Sequence, residues 1–164
     1  MYFNYNKIFS IVLMAVVNAR NEFLMVDVAK NGRISDGGVF SSTTFAEMLE
    51  NDSLGKPNEE VLFPCVEKYP YVFVADDAFG LKPYIMKPYS CTPLSTEHIK
   101  FNKRLSSARI RVENAFGILA NRFQVLQKPI NQSTNQLCPE KASKIVLACC
   151  YLYNYLKNKK FCTI

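Results

Sequence analysis

Two apolar runs set the first limit on how this chain folds. The stretch "IFSIVLMAVV", residues 8–17, is followed after the polar break "NARNE" by a second run, "FLMVDV", Phe23–Val28. Ile, Val and Phe dominate both, so Phe9–Val17 and Phe23–Val28 are expected to form an antiparallel pair. The first run, coming after Lys7 and before "NA", also has the look of a signal-peptide core. It is too short to span a bilayer, and the second run favours the strand.

Beyond the hairpin, "AKNGRISDGG" reads as a loop, Ser42–Glu50 as a short helix, and "NDSLGKPNEE" as a polar connection. "YVFVADDAFG" supplies five apolar residues, Tyr71–Ala75, that stop abruptly at Asp76 and Asp77. That pattern predicts a buried strand beside the hairpin, with a carboxylate at its C-terminal edge where α/β sheets carry their chemistry. Pro83, Pro88 and Pro93 make residues 81–95 an extended loop.

Ser95 or Thr96 caps a long helix beginning near Glu97. Its apolar positions, Leu105, Ala108, Val112, Ala115, Leu119, Phe123 and Leu126, follow steps of three or four, and Pro129 is expected to end it. Between Glu97 and Glu140 the sole acid is Glu113, while Lys100, Lys103, Arg104, Arg109, Arg111, Arg122 and Lys128 are basic. Glu113 follows Val112 directly and so borders the apolar stripe, with Gly117 one turn on leaving room beside it. A last helix spans about Pro139 to Lys157. No internal repeat or second domain is evident, so residues 1–164 read as one domain with a sizeable core.

The net charge of +6 favours a polyanionic partner, and its concentration in residues 98–128 is more telling than its size. No Cys-x-x-Cys pair occurs among the six cysteines, and His98 is the sole histidine, so a Cys/His zinc site has little to build from. Cys149 and Cys150, inside "KIVLACCYLYNYL", read as buried free thiols in a reducing compartment.

The residues able to carry chemistry are therefore acids: Asp36 in a loop, Asp76 or Asp77 at a strand end, and Glu113 in the basic helix. Oxygen ligands from separate elements suit Mg²⁺ or Mn²⁺. Such ions can activate a nucleophile for phosphodiester cleavage while Lys and Arg hold the phosphate backbone. The bland alternative is equally concrete. A loop Asp after Ser is commonly a turn residue, and a mid-helix Glu among arginines is commonly a salt-bridge partner.

The blocks "FNYNKIFSIVLMAVVNA", "VDVAKNGRISDGGVF", "YVFVADDAFGLKPYIMKPY", "FNKRLSSARIRVENAFGILANRF" and "EKASKIVLACCYLYNYL" run in order through nearly the whole chain. Together they resemble the DDE superfamily endonucleases of the PIF/Harbinger transposase type, which include the Harbinger transposase-derived nucleases of animals. The resemblance implies an α/β, RNase H-like fold with a mixed five-stranded sheet flanked by helices. It also implies a hydrolase acting on phosphodiester bonds, with divalent-metal-dependent (Mg²⁺ or Mn²⁺) cleavage and joining of DNA.

Residue by residue, Asp76 matches the strand-end aspartate of the family's "D-x-A-F/Y-x-L-K-P" block. Glu113 matches the glutamate of "R-x-x-V-E-x-A-F-G", the final acid of the catalytic set. Asp36 matches the aspartate of "G-R-x-S-D-G-G-V-F", expected as a further metal-associated acid. Asp77 falls where the family varies and ranks below Asp76. Lys103, Arg104, Arg109, Arg111 and Arg122 are the expected DNA contacts. A Myb-like DNA-binding partner protein and a place in the nucleus, or the cytoplasm, are implied as well; no membrane association is expected.

The sequence departs from the family in three places. The family's first catalytic aspartate sits in a "D-G" strand upstream of the "F-x-N-Y-K" block, whereas this sequence begins "MYFNYNK". An N-terminally truncated domain lacking that strand, its aspartate and the helix-turn-helix region is expected, inactive as it stands. The alternative is a non-catalytic DNA-binding remnant or domesticated module. Asn18 stands where the family often has Asp, and Tyr153 replaces a His common before the Asn of "L-x-N".

Overall fold

The computed structural model describes residues 11–31, 36–61, 67–127 and 139–159. Phe9, Ser10, Pro129, Lys128, Cys65, Cys138 and Cys162, all named or counted above, lie outside them. The architecture is mixed α/β, with four α-helices and small two-stranded sheets among the described residues. Two compact units are distinguished, Met1–Ile34 with Ile110–Ile164 and Ser35–Arg109.

In the first unit, β1 (Ile11–Val17) pairs antiparallel with β2 (Phe23–Asn31), as the two apolar runs require. The turn between them is built by one side chain. Asn18 Oδ1 accepts from the backbone N–H groups of Arg20 and Glu22, and Asn18 Nδ2 donates to Glu22 at 2.6 Å. Asn21 takes the left-handed conformation, φ 58°, that asparagine tolerates better than most residues. An aspartate at position 18 would still offer an acceptor oxygen to both N–H groups but no amide donor for Glu22.

A two-stranded ribbon is marginal in water without a partner to cover it. The cover comes from the C-terminal part of α3 (Thr96–Arg122) and from α4 (Pro139–Lys159). Phe23, Ala115, Leu119, Val146, Cys149, Cys150 and Tyr153 form the buried cluster, with Leu13, Ala15, Val26 and Phe116 packed on it. The Phe23 ring meets Tyr153 edge-on at 5.2 Å and Phe116 at 5.7 Å between centroids, distances at which aromatic pairs attract beyond simple burial.

Polar contacts fix the seam. Asn154 Oδ1 accepts from the Phe23 N–H at 3.0 Å, and its Nδ2 donates to the Phe23 carbonyl at 2.7 Å. Tyr153 donates its hydroxyl to the Asn21 carbonyl at 2.9 Å. Tyr153, one of the departures from the family pattern, is therefore a core residue with a satisfied hydroxyl. Cys149 and Cys150 are free and buried, as expected. Burial, with Cys149 alongside, pushes the Cys150 thiol up to about 11.

In the second unit, α1 (Asp36–Ser41) leads into α2 (Thr44–Glu50). Thr43 caps α2: its Oγ1 accepts from Ala46 N–H at 3.1 Å and donates to the Phe40 carbonyl. β3 (Glu60–Val61) pairs with β4 (Lys68–Tyr69), and β5 (Phe73–Val74) runs parallel to β6 (Ile85–Met86). Phe40, Phe45, Phe73 and Phe79 interlock edge-on at 5.4 to 6.4 Å. Glu50, at the end of α2, accepts from Lys82 at 3.0 Å and from Tyr84 at 3.3 Å.

Several expectations need correction. The apolar segment Tyr71–Ala75 forms only the short β5, and its partner is β6, not the hairpin. Phe73 N–H reaches the Tyr84 carbonyl and Ala75 N–H the Met86 carbonyl, each at 2.9 Å. A partner about ten residues away closes a short loop, which costs less chain entropy than a distant strand. No mixed five-stranded sheet forms among the described residues. Residues 81–95 are accordingly not loop throughout, since β6 lies inside them.

Asp36 is the first residue of α1 rather than part of a loop. Two glycines, Gly37 and Gly38, disguise that turn because they are poor helix formers; burial of Val39 and Phe40 holds it. α3 stops at Arg122, with Phe123 leaving helical geometry at φ −114° and ψ 87° and a 3₁₀ turn at Gln124–Leu126, so the apolar stripe outlasts the helix. Its N-terminus is as expected: Ser95 Oγ accepts from His98 N–H at 3.2 Å. No helix among the described residues is long and apolar enough to cross a membrane.

Two measurements check this packing. Asn154→Ala strips Phe23 of two hydrogen-bond partners and is expected to destabilise the chain by about 2–4 kcal/mol in denaturant unfolding; a change below about 0.5 kcal/mol would contradict the clamp. The raised Cys150 value means the folded state keeps a proton that the unfolded chain has lost, so stability is complete below the ordinary thiol value of 9.0 and falls as pH rises toward about 11. Cys150→Ala is expected to flatten that fall in melts recorded across this range.

Candidate functional site

The sequence-predicted acids are distributed over both units. Asp36 and Asp76 belong to the second; Glu113 belongs to the first.

Asp76 follows β5 directly and opens a turn. Its Oδ1 accepts from the Ala78 N–H at 3.0 Å, while Oδ2 lies 3.8 Å from Arg109 Nη2. The aspartate thus serves as a turn residue and carries a specific cationic partner. Asp77 points to a different cation, Lys87, at 3.3 Å. Lys87 also donates to the Asp77 carbonyl, so this carboxylate is tied to its own turn.

The fold brings the start of α1 to the Asp76 turn. A Cβ on Gly37 would stand 3.0 Å from the Ala78 carbonyl oxygen, and the rings of Phe40 and Phe79 meet at 5.8 Å. Gly37 is therefore needed for close backbone approach rather than for an unusual φ. In sequence, Asp36 directly precedes Gly37, and Asp76 stands two residues before Ala78.

Glu113 is exposed and makes no ion pair among the described residues. The salt-bridge alternative raised by the sequence is not what the structure shows. Arg109, one helical turn earlier and the natural partner by spacing, is directed to Asp76 instead. A Cβ at Gly117 would meet nothing within 4 Å, so the helix surface beyond Glu113 is open.

The expected DNA contacts divide in the same way. Lys103, Arg104, Arg111 and Arg122 are exposed, whereas Arg109 is half-buried against Asp76. Arg104, Arg111 and Arg122 are spaced by seven and eleven residues, which at 3.6 residues per turn places them on one side of α3. Glu113, nine residues after Arg104, falls half a turn away. The carboxylate is thus kept off the basic stripe.

Oxygen donors of this kind are chemically right for a hard divalent cation. Their number is not, in the described part. No group of three or more Asp, Glu, His or Cys side chains among the described residues could hold an ion. One assembly escapes sequence reasoning altogether: Arg122 at the end of α3 and Lys157 in α4 both lie against the Tyr153 ring, and Lys157 donates to the backbone carbonyl of Arg20 in the hairpin turn. Nothing in their spacing marks them, because they come from three separate elements.

The family described as DDE superfamily endonuclease matches residues 1–154. The chain is 28% identical over 150 residues to the ALP1-like protein of Arabidopsis thaliana, covering 92% of this chain and 36% of that protein. It is 27% identical over 153 residues to a Xenopus laevis protein named as a candidate nuclease, HARBI1, covering 93% and 39% respectively. The corresponding Bos taurus protein is 26% identical over the same length. The chain spans 36% to 39% of the length of these relatives. No solved structure matches. With ordered motifs and a family match over nearly all of its residues, the chain belongs to the DDE superfamily endonuclease family.

Proposed function

We propose that this chain is part of a nuclease-derived domain of RNase H-like type that acts on DNA, with Asp76 and Glu113 as its catalytic acids. Asp36, Asp76 and Glu113 are each proposed as an oxygen ligand for Mg²⁺ or Mn²⁺, a metal that would activate the attacking oxygen and steady the leaving one. Lys103, Arg104, Arg109, Arg111 and Arg122 would bind the DNA backbone. The observation that carries the reading is Glu113: an exposed carboxylate without an ion-pair partner among the described residues, in a stretch where cations abound. A glutamate kept only for helix stability would pair with Arg109.

The chain's own residues have separable tasks. Arg104 and Arg111 attract phosphates without needing a metal. Arg109 holds the Asp76 carboxylate in place and balances its charge. Cleavage needs its acids to act as a unit, so Asp76 and Glu113 stand or fall together in this reading. We place this activity in the nucleus, beside a Myb-like partner protein. The second reading, a non-catalytic DNA-binding module, draws its support from the Asp76–Arg109 pair, where a guanidinium already meets the candidate ligand.

DNA affinity measured across a salt series, with a Mn²⁺ cleavage assay on the same preparation, tests both. Affinity is expected to fall steeply with salt, and reversing the charge of Arg104 and Arg111 to flatten the slope by about 0.9 for each phosphate no longer neutralised. Glu113→Gln should leave binding unchanged or slightly tighter. Cleavage that Glu113→Gln removes would overturn the second, non-catalytic reading; salt-independent or absent binding would overturn both.

A further inference from the structure

The cation assembly around Tyr153 lies wholly in the first unit. Lys157 Nζ donates to the Arg20 carbonyl oxygen. The same ammonium stands 5.6 Å from the Tyr153 ring centroid, and the Arg122 guanidinium carbon 5.9 Å from it. Tyr153 itself is fixed by burial and by its hydroxyl bond to Asn21. Two helix ends thus bring two cations to one rigid ring, and the hairpin turn places the Arg20 backbone against Lys157, with the Arg20 guanidinium paired to Glu22.

Charge balance is incomplete there. Glu22 is bound to Arg20 Nε at 3.3 Å and to Asn18 at 2.6 Å. Among the described residues no carboxylate lies within ion-pair distance of Arg122 or Lys157. Burial first, then the nearby Arg20 and Arg122, holds the Lys157 ammonium below its ordinary value against the opposing pull of Glu22. Solvated lysines normally avoid such company, and an anion would relieve it. The groups are also pre-ordered, Lys157 by the Arg20 carbonyl and Arg122 by the ring, which lowers the entropy cost of binding. Arg122 and the side chain of Arg20 remain exposed.

We infer that Arg20, Arg122 and Lys157 form a phosphate-binding patch that grips the backbone of bound DNA. The patch extends the basic stripe of α3 at Arg122 and adds two residues, Arg20 and Lys157, from outside that helix. It rests on the DNA-binding reading above and is tested so that the two can fail separately.

The experiment is a salt series of DNA-duplex affinity for the 164-residue chain, for Arg122→Gln/Lys157→Gln, and for Arg104→Gln/Arg111→Gln. The slope of log K against log salt is expected to shrink by about 0.9 for each phosphate that either double variant leaves unneutralised. Thermal melts establish that each variant folds; if Arg122→Gln/Lys157→Gln does not, the exposed Arg20→Gln carries the test with an expected decrease in slope of about 0.9. A folded patch variant with the parent's slope overturns the inference while sparing DNA binding by α3. Absence of DNA binding in the parent overturns both. A last arm adds inorganic phosphate alone: a melting-temperature rise that vanishes in the patch variant, with DNA slopes unchanged, would assign the patch to a free phosphorylated ligand and overturn its DNA role.

Discussion

The first unit depends on a small geometric demand: the β2 backbone at Phe23 needs hydrogen-bond partners where the hairpin meets the helices. Asn154 supplies both, one from each end of its amide. Without them, a buried residue at 5% exposure would keep an unsatisfied N–H and carbonyl, a cost that can rival the apolar gain from its ring. Because the clamp sits on α4, it also sets that helix in register against the strand. Tyr153 next to it then reaches Asn21, and Cys149, Cys150 and Val146 fall onto the hairpin. The hairpin thus acquires the cover that two strands need.

The second unit is held differently, by interlocked rings and by short-range pairing. Strands of two residues contribute little ladder energy, so the aromatic contacts from α1, α2 and the Asp76 turn must do more. This arrangement has a consequence for the candidate site. The turn bearing Asp76 is positioned by Phe79 against Phe40 and by the close approach of Gly37, rather than by a long strand. The carboxylate direction is then set by its own turn and by Arg109.

Some of this is legible in the sequence, and the rest is hidden for physical reasons. The hairpin, the N-terminus of α3, and α4 follow from periodicity and capping, which are local. The partner of Tyr71–Ala75 does not, because an apolar run states that a strand is buried but not which strand lies beside it. Asp36 reads as loop since Gly37 and Gly38 argue against a helix locally, while Val39 and Phe40 decide it through packing. Motif order reveals the candidate acids. It does not reveal their charge partners: Arg109 could pair equally with Glu113 by spacing, and only the fold selects Asp76. Arg20 and Lys157 have no shared motif at all.

Phosphate binding and phosphodiester chemistry also differ in what they tolerate. Electrostatic binding accumulates over many cations, each releasing its own counterions, so losing a few weakens it gradually. Metal-assisted cleavage depends on acids acting as a unit, where losing one member can cost nearly as much as losing all. With Arg104, Arg111 and Arg122 along one side of a helix, and Arg20 and Lys157 beside its end, the proposed DNA binding would not depend on the second property. Glu113 distinguishes the two cases. On a surface shaped only for binding polyanions, an exposed and unpaired carboxylate is a repulsive charge with no compensating contact. Its position half a turn from the basic stripe lessens that repulsion, and the arrangement makes sense where the carboxylate has a task that the cations do not share.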